Sequence, residues 1–195
     1  MEINKAFITI GLATALLQMP VAADAQHAGS ACCDHGNKTC RQNSLLQKSS
    51  LPFGAPDFAR IKETDYLPAI EAAVKQQREN IQKIVDNKAK PTFANTILAY
   101  ENSGVLLENV SNVFFGLCSA HKTPVIADTE KKVTPLLTDL DNEISFNQKL
   151  FERIKYVYDH EYKSLTGEDQ RLTEVIYKGF VRSGAMLSAD KMQRM

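Results

Sequence analysis

The sequence contains no tryptophan, four histidines and no surplus of either charge, with 23 Lys and Arg balanced by 23 Asp and Glu over 195 residues. Each shortage excludes something. A nucleic-acid binder carries a basic face, and an evenly balanced chain offers none. A zinc site built on a helix wants paired histidines or cysteines at fixed spacing. The histidines here are His27, His35, His121 and His160, and no two of them stand four apart. No glycine-rich phosphate loop, G-x-S-x-G elbow or fixed-period repeat is present. No stretch alternates apolar and polar residues over the length of a strand, so the fold class is all-α.

Long hydrophobic runs are also missing, with one exception. Ala6 to Leu17, AFITIGLATALL, comes after Lys5 and precedes Pro20 and Ala23-Asp24-Ala25. It is too short to span a membrane, but an apolar core before an A-x-A site is the pattern of a secretory leader. Residues 1–25 are therefore expected to be a cleaved signal peptide, and the mature protein to be exported, periplasmic and without a membrane anchor. A lipid anchor on Cys32 would need a large aliphatic residue three positions earlier, where Gly29 stands.

Residues 26–50 read as a flexible polar tail holding Cys32, Cys33 and Cys40; the fourth cysteine is Cys118. Export implies an oxidising compartment, in which Cys33 and Cys40 are far enough apart to close a disulfide. With His27 and His35 the same tail resembles a loose metal-binding patch, though without zinc-site spacing. The pairing of the four cysteines is left open by the sequence. Asn37-Lys38-Thr39 and Asn109-Val110-Ser111 fit the short glycosylation pattern.

From residue 51 the chain reads as an antiparallel bundle of about five helices. Serines with Pro52, Gly54 and Pro56 make 44–58 a linker. The first helix starts at Thr64 or Asp65, carries Pro68 in its first turn and ends near Asp86-Asn87. Its stripe is Leu67, Ile70, Val74, Ile81, Ile84 and Val85. Thr92 or Asn95 caps the second helix, with Phe93 as a staple. Ile97, Val105, Leu106, Val110, Val113, Phe114 and Leu117 face inward. Gly104 marks either a close helix crossing or a kink. A loop from His121 to Val125 precedes a third helix, 127–144, which Pro135 should bend or open. Its inward residues are Val133, Leu136, Leu137, Leu140 and Ile144. Asn147 caps a fourth, with Leu150, Phe151, Ile154, Val157 and Tyr158 inward. Thr166 and Asp169 open a fifth in a capping-box pattern, with Leu172, Val175, Ile176, Phe180 and Leu187 inward. Ser188 starts a sixth.

One motif is almost present. His160-Glu161-Tyr162-Lys163-Ser164 begins like H-E-x-x-H, which works because two histidines on one helix face share a zinc and the glutamate acts as base. Ser164 replaces the second histidine, and serine is not a usual zinc ligand. The expected catalytic, cofactor-binding and metal-ligating residues of this chain are therefore none.

Four segments in order carry a resemblance. LPFGAPDFARIKETDYLPAIEAAV, PTFANTI, SNVFFGL and FVRSGAMLSADK resemble the N-terminal helical region of the thimet-oligopeptidase-like zinc metallopeptidases, nearest the bacterial peptidyl-dipeptidase and oligopeptidase A branches. The resemblance runs from about Leu51 to Lys191. It implies an exported, almost wholly helical peptidase whose deep channel admits short peptides. It implies zinc held by H-E-x-x-H and a downstream glutamate in a C-terminal catalytic part. No position here matches those ligands, so residues 51–195 are expected to be a non-catalytic channel wall whose partners are short peptides and the missing catalytic part of the same protein. The alternative is an independent exported helical module that binds a partner and has no activity. The helix started at Ser188 favours the first reading.

Mass spectrometry of the exported protein checks the leader. The expected first residue is Gln26, and an intact Met1 would refute cleavage at that site.

Overall fold

The computed structural model describes residues 42–186. The leader, the cysteines of the tail, Leu187 and the helix expected from Ser188 lie outside the described residues. Among the described residues there are helices and no strand. All five expected helices form, the second of them in pieces.

The first, α1, spans Tyr66–Asp86 and is entered through a 3₁₀ turn at Glu63–Asp65. Asp65 occupies the cap position, but its carboxylate turns back to accept from the Lys62 N–H at 2.8 Å. Tyr66, Ala69, Ile70, Ala73, Val74, Ile81 and Ile84 are buried. Leu67 and Val85, expected inward, are half-buried at the edge of this stripe.

Thr92 and Asn95 form the reciprocal cap the sequence suggests. The Asn95 N–H donates to Thr92 Oγ1 at 3.3 Å and the Thr92 N–H to Asn95 Oδ1 at 2.9 Å. The capped segment opens as a π-helical turn at Phe93–Leu98 and continues as α2 at Ala99–Ser103 and α3 at Val105–Ala120. The break is Gly104, at φ −105° and ψ 3°. Both expectations for this glycine hold together. A Cβ there would lie 2.8 Å from Gln77 Nε2, so α1 crosses at close range. Asn80 of α1 donates to the Ser103 carbonyl at 3.2 Å, satisfying the backbone at the break. Val105 is 46 % exposed, contrary to expectation, and Leu107 is buried in its place.

The third expected helix, α4, spans Pro124–Ser145 and starts earlier than its periodicity suggests. Thr123 Oγ1 accepts from the Ile126 N–H at 3.3 Å. Pro124 then takes the first helical position, where its missing N–H is not needed. Pro124 and Val125 are thus helix and not loop. The helix is assigned without interruption through Pro135, which lies on the exposed side. Asn147 caps α5, Gln148–His160, accepting from the Leu150 N–H at 3.0 Å. The last helix, α6, spans Gly167–Arg182. Thr166 makes no side-chain cap there, since the helix is entered through a left-handed Gly167 at φ 59°. Val175 is 49 % exposed and Thr173 is fully buried, correcting the expected stripe by two positions.

Pair contacts fix the helix directions. Tyr66 packs on Phe114 with ring centroids 5.4 Å apart, while Gln77 meets Gly104, so α1 and α3 run antiparallel. Thr123 donates to Glu63 at 3.0 Å and Arg78 pairs with Glu143 at 2.7 Å, so α4 returns parallel to α1. Phe151 stacks near Phe180 at 6.2 Å, and Tyr158 lies 4.0 Å from Tyr177. The α5–α6 hairpin is therefore antiparallel, and it closes over the π turn and α2, where Tyr100 meets Phe180 at 5.6 Å. Part of the expected tail and linker is seated too. Ser44–Leu46 forms a 3₁₀ turn, Leu45 and Leu46 pack on the core, and Asn43 Nδ2 donates to Asp65 O at 2.8 Å.

Gly104→Leu should destabilise the protein by about 1–3 kcal/mol, because the new side chain enters space held by Gln77. Urea unfolding measures this, and adding Gln77→Ala should restore part of the loss, as expected for residues in contact.

Candidate functional site

The most densely connected polar cluster lies where α5 crosses the connection between α1 and the π turn. Arg153 stands on the inner side of α5, three residues after Leu150 and four before Val157, both fully buried. Its Nη1 donates to the Asn87 carbonyl at 2.7 Å and the Ala89 carbonyl at 3.4 Å. Its Nη2 donates to Asn95 Oδ1 at 3.3 Å and Thr96 Oγ1 at 3.4 Å. Every acceptor is neutral, and Nε is buried with no partner. Burial lowers the Arg153 pKa, yet a guanidinium stays charged at neutral pH. One cation thus holds main chain and cap side chains of a segment some sixty residues away.

Glu161 completes the tie from the end of the same helix. Its Oε2 accepts from the Phe93 N–H at 2.8 Å, so the first amide of the π turn is satisfied by a carboxylate. Carboxylates are favoured at such N-termini. His160 is exposed, its ring stacks on Tyr156 with centroids 4.0 Å apart, and Nδ1 lies 2.9 Å from the Tyr156 carbonyl. Ser164 Oγ donates to the Glu161 carbonyl at 2.7 Å. The H-E-x-x-S segment is therefore a helix terminus, with α5 ending at His160. Its serine does not lie one turn along a continuing helix face.

His121 lies elsewhere. It comes just after α3, beside the end of α1 that carries Tyr66, whereas Arg153 and its neighbours attach beyond Asp86. The two ends of a 21-residue helix are about 30 Å apart. Among the described residues no group of three or more His, Cys, Asp or Glu is placed to hold a metal ion. They do not fit the zinc site that the resemblance implies, and no chemical step is assigned to zinc here.

An open groove of about 460 Å³ runs beside Arg153, between Val85, Asp86, Lys88, Pro91, Lys149 and Tyr156. Lys90 stands 5.7 Å from the Tyr156 ring centroid. The groove has charges of both signs, Asp86 and Glu152 with Lys88 and Lys149. Cys118 is half-buried, and burial, the largest effect on it, pushes its thiol up, away from the reactive thiolate. Phe114 is fully buried as expected of a core anchor, whereas its neighbour Phe115 is 36 % exposed.

The structural roles of Arg153 and Glu161 are not among the sequence-based expectations. Arg153 has one readable signal, a basic residue within an apolar row. Glu161 has none, since its partner is a backbone amide 68 positions away.

No protein-family model matches the chain. Comparison with curated proteins gives clear relatives. The chain is 39 % identical to dipeptidyl carboxypeptidase of Salmonella typhimurium over 154 residues, which are 78 % of this chain and 23 % of that protein. It is 40 % identical to dipeptidyl carboxypeptidase of Escherichia coli over 151 residues, 76 % of this chain and 22 % of that protein. It is 23 % identical to Escherichia coli oligopeptidase A over 144 residues, 73 % of this chain and 21 % of that protein. The chain thus spans less than a quarter of the length of the curated relatives it matches. Over some three quarters of its length it is a homologue of the dipeptidyl carboxypeptidases and oligopeptidase A, the thimet-oligopeptidase-like peptidases.

Proposed function

We propose that this polypeptide is the N-terminal, non-catalytic wall segment of an exported, periplasmic peptidase of the dipeptidyl carboxypeptidase type, acting on short peptides. One observation carries the reading. Identity of 39–40 % extends over about three quarters of this chain while covering less than a quarter of either relative. A helical segment of that kind shapes a substrate channel and leaves the chemistry to other parts. Zinc, its ligands and the general base belong to those parts, because catalysis on a metal needs ligands with an open position and a base held in place. The described residues offer neither. His160 is stacked on Tyr156, and Glu161 is committed to the Phe93 amide.

Two measurements test the proposal. The purified mature chain with added zinc should not hydrolyse a quenched short peptide, and Glu161→Ala should leave that result unchanged. The same substitution should cost about 1 kcal/mol of stability, since it strips a half-buried amide of its acceptor. Second, Escherichia coli dipeptidyl carboxypeptidase in which the matched segment is replaced by the corresponding residues of this chain should fold and hydrolyse its peptide substrates. Hydrolysis by the isolated chain that chelator abolishes would refute the non-catalytic role. A chimera that folds and is inert would refute the wall-segment role.

A further inference from the structure

The segment just before α1 combines two features that its own chain does not explain. Phe53 is 107 % exposed, so its ring touches nothing in the described structure. Its backbone is left-handed, at φ 59° and ψ 15°, and among the described residues it is the only non-glycine residue with positive φ. The turn comprises Leu51, Pro52, Phe53 and Gly54, closed by the Gly54 N–H to the Leu51 carbonyl at 3.1 Å. A left-handed position in such a turn is ordinarily filled by glycine or asparagine. A bulky residue there is a true outlier, and such strain persists where function repays it.

The turn is also braced. Ser49 Oγ donates to the Ala55 carbonyl at 2.5 Å and accepts from the Leu51 N–H at 3.1 Å, closing the loop at its base. Pro52 and Pro56 stiffen its two sides, and the Ala55 N–H donates to the Pro52 carbonyl at 3.2 Å. Leu51 is 41 % and Phe58 60 % exposed in the same eight residues. A rigid loop thus presents three apolar side chains to solvent. Exposed apolar groups in one place mark interaction sites, and preorganised aromatic anchors lose little freedom on binding.

We infer that the loop 51–58 is a docking knob, with Phe53 entering an apolar pocket on the remaining, catalytic part of the peptidase. The inference rests on the proposed function and names the surface through which that part is held. The occupant is argued from the extent of the matches. An unbroken match over 78 % of a 195-residue chain must include its middle, and residues 51–58 with it. The loop therefore lies in the segment shared with relatives that carry more than three quarters of their length outside the match. That additional protein is the partner surface available to an aromatic which its own segment leaves uncovered.

The test substitutes Phe53 in two contexts. Phe53→Gly and Phe53→Asn remove the ring and tolerate the left-handed backbone. In the isolated mature chain both should leave the thermal midpoint unchanged or raise it, because strain is relieved and no contact is lost. In the Escherichia coli chimera both should lower the midpoint, by roughly 1–2 °C for Phe53→Gly, and reduce hydrolysis. The opposite response in the two contexts is the expected signature. A chimera whose midpoint is unaffected by either substitution overturns the inference. So does an equal fall in the isolated chain, which would place the ring against its own segment. Analytical ultracentrifugation covers the remaining occupant. If Phe53→Gly dissolves a dimer of the isolated chain and leaves the chimera's midpoint unchanged, the knob serves self-association and the inference fails. The midpoint is read whether or not the chimera is active, so loss of activity in the parent chimera strikes the proposed function alone.

Discussion

Most of the described structure is built against the inner face of α1. Seven of its residues are buried, two of them alanines that are almost wholly inaccessible. Small side chains permit a close neighbour, and the Gly104 crossing lies on the same helix at Gln77. This approach favours a glycine in the partner, and the helix breaks at that glycine. Burial of apolar surface supplies the drive, at about 25 cal/mol per Å². Close packing decides the register, because interiors admit few voids and little overlap.

Apolar packing alone leaves the distal end of α1 undefined. There the chain must turn through Asn87 to Pro91 and start the π turn, exposing carbonyls and amides that a buried crossing has to satisfy. Arg153 and Glu161 supply opposite halves of that requirement, a donor for the carbonyls and an acceptor for the Phe93 amide. The tie joins sequence-distant parts by polar means, whereas the surface pair of Arg78 and Glu143, 41 % and 53 % exposed, contributes little. Losing Arg153 would leave the Asn87 carbonyl without this donor and losing Glu161 the Phe93 amide without its acceptor, so the tie serves specificity as well as stability.

The local features of this fold are the legible ones. Asn147 and the Thr92–Asn95 pair are legible as caps because the bonds they make span only three residues. Helical periodicity locates the five long helical segments among the described residues. It misplaces Val105 and Val175, single members of rows whose other residues, Val110 and Phe114 in α3 and Ile176 and Phe180 in α6, are buried as expected. Pro124 reads as a loop residue, although a proline after threonine equally marks a first turn. The Arg153 tie is hidden for a different reason: two of its acceptors are main-chain carbonyls, which every sequence possesses. Phe53 is hidden because exposure and φ are properties of the folded chain, and its letter alone reads as core. The resemblance is legible in residues 51–74 and the later segments as a pattern, and the relatives bear out the family.

The missing tryptophan has an optical consequence. Near-ultraviolet fluorescence must come from six tyrosines, and four of them, Tyr156, Tyr158, Tyr162 and Tyr177, belong to α5, the turn after it and α6. Tyr158 lies over Tyr177 at 4.0 Å and beside Tyr162 at 4.8 Å, close enough for excitation to pass among them. Emission from this protein is therefore a local gauge. It reports the hairpin that closes over the π turn far more than the three-helix body around α1, and the two regions can be watched separately as they come apart.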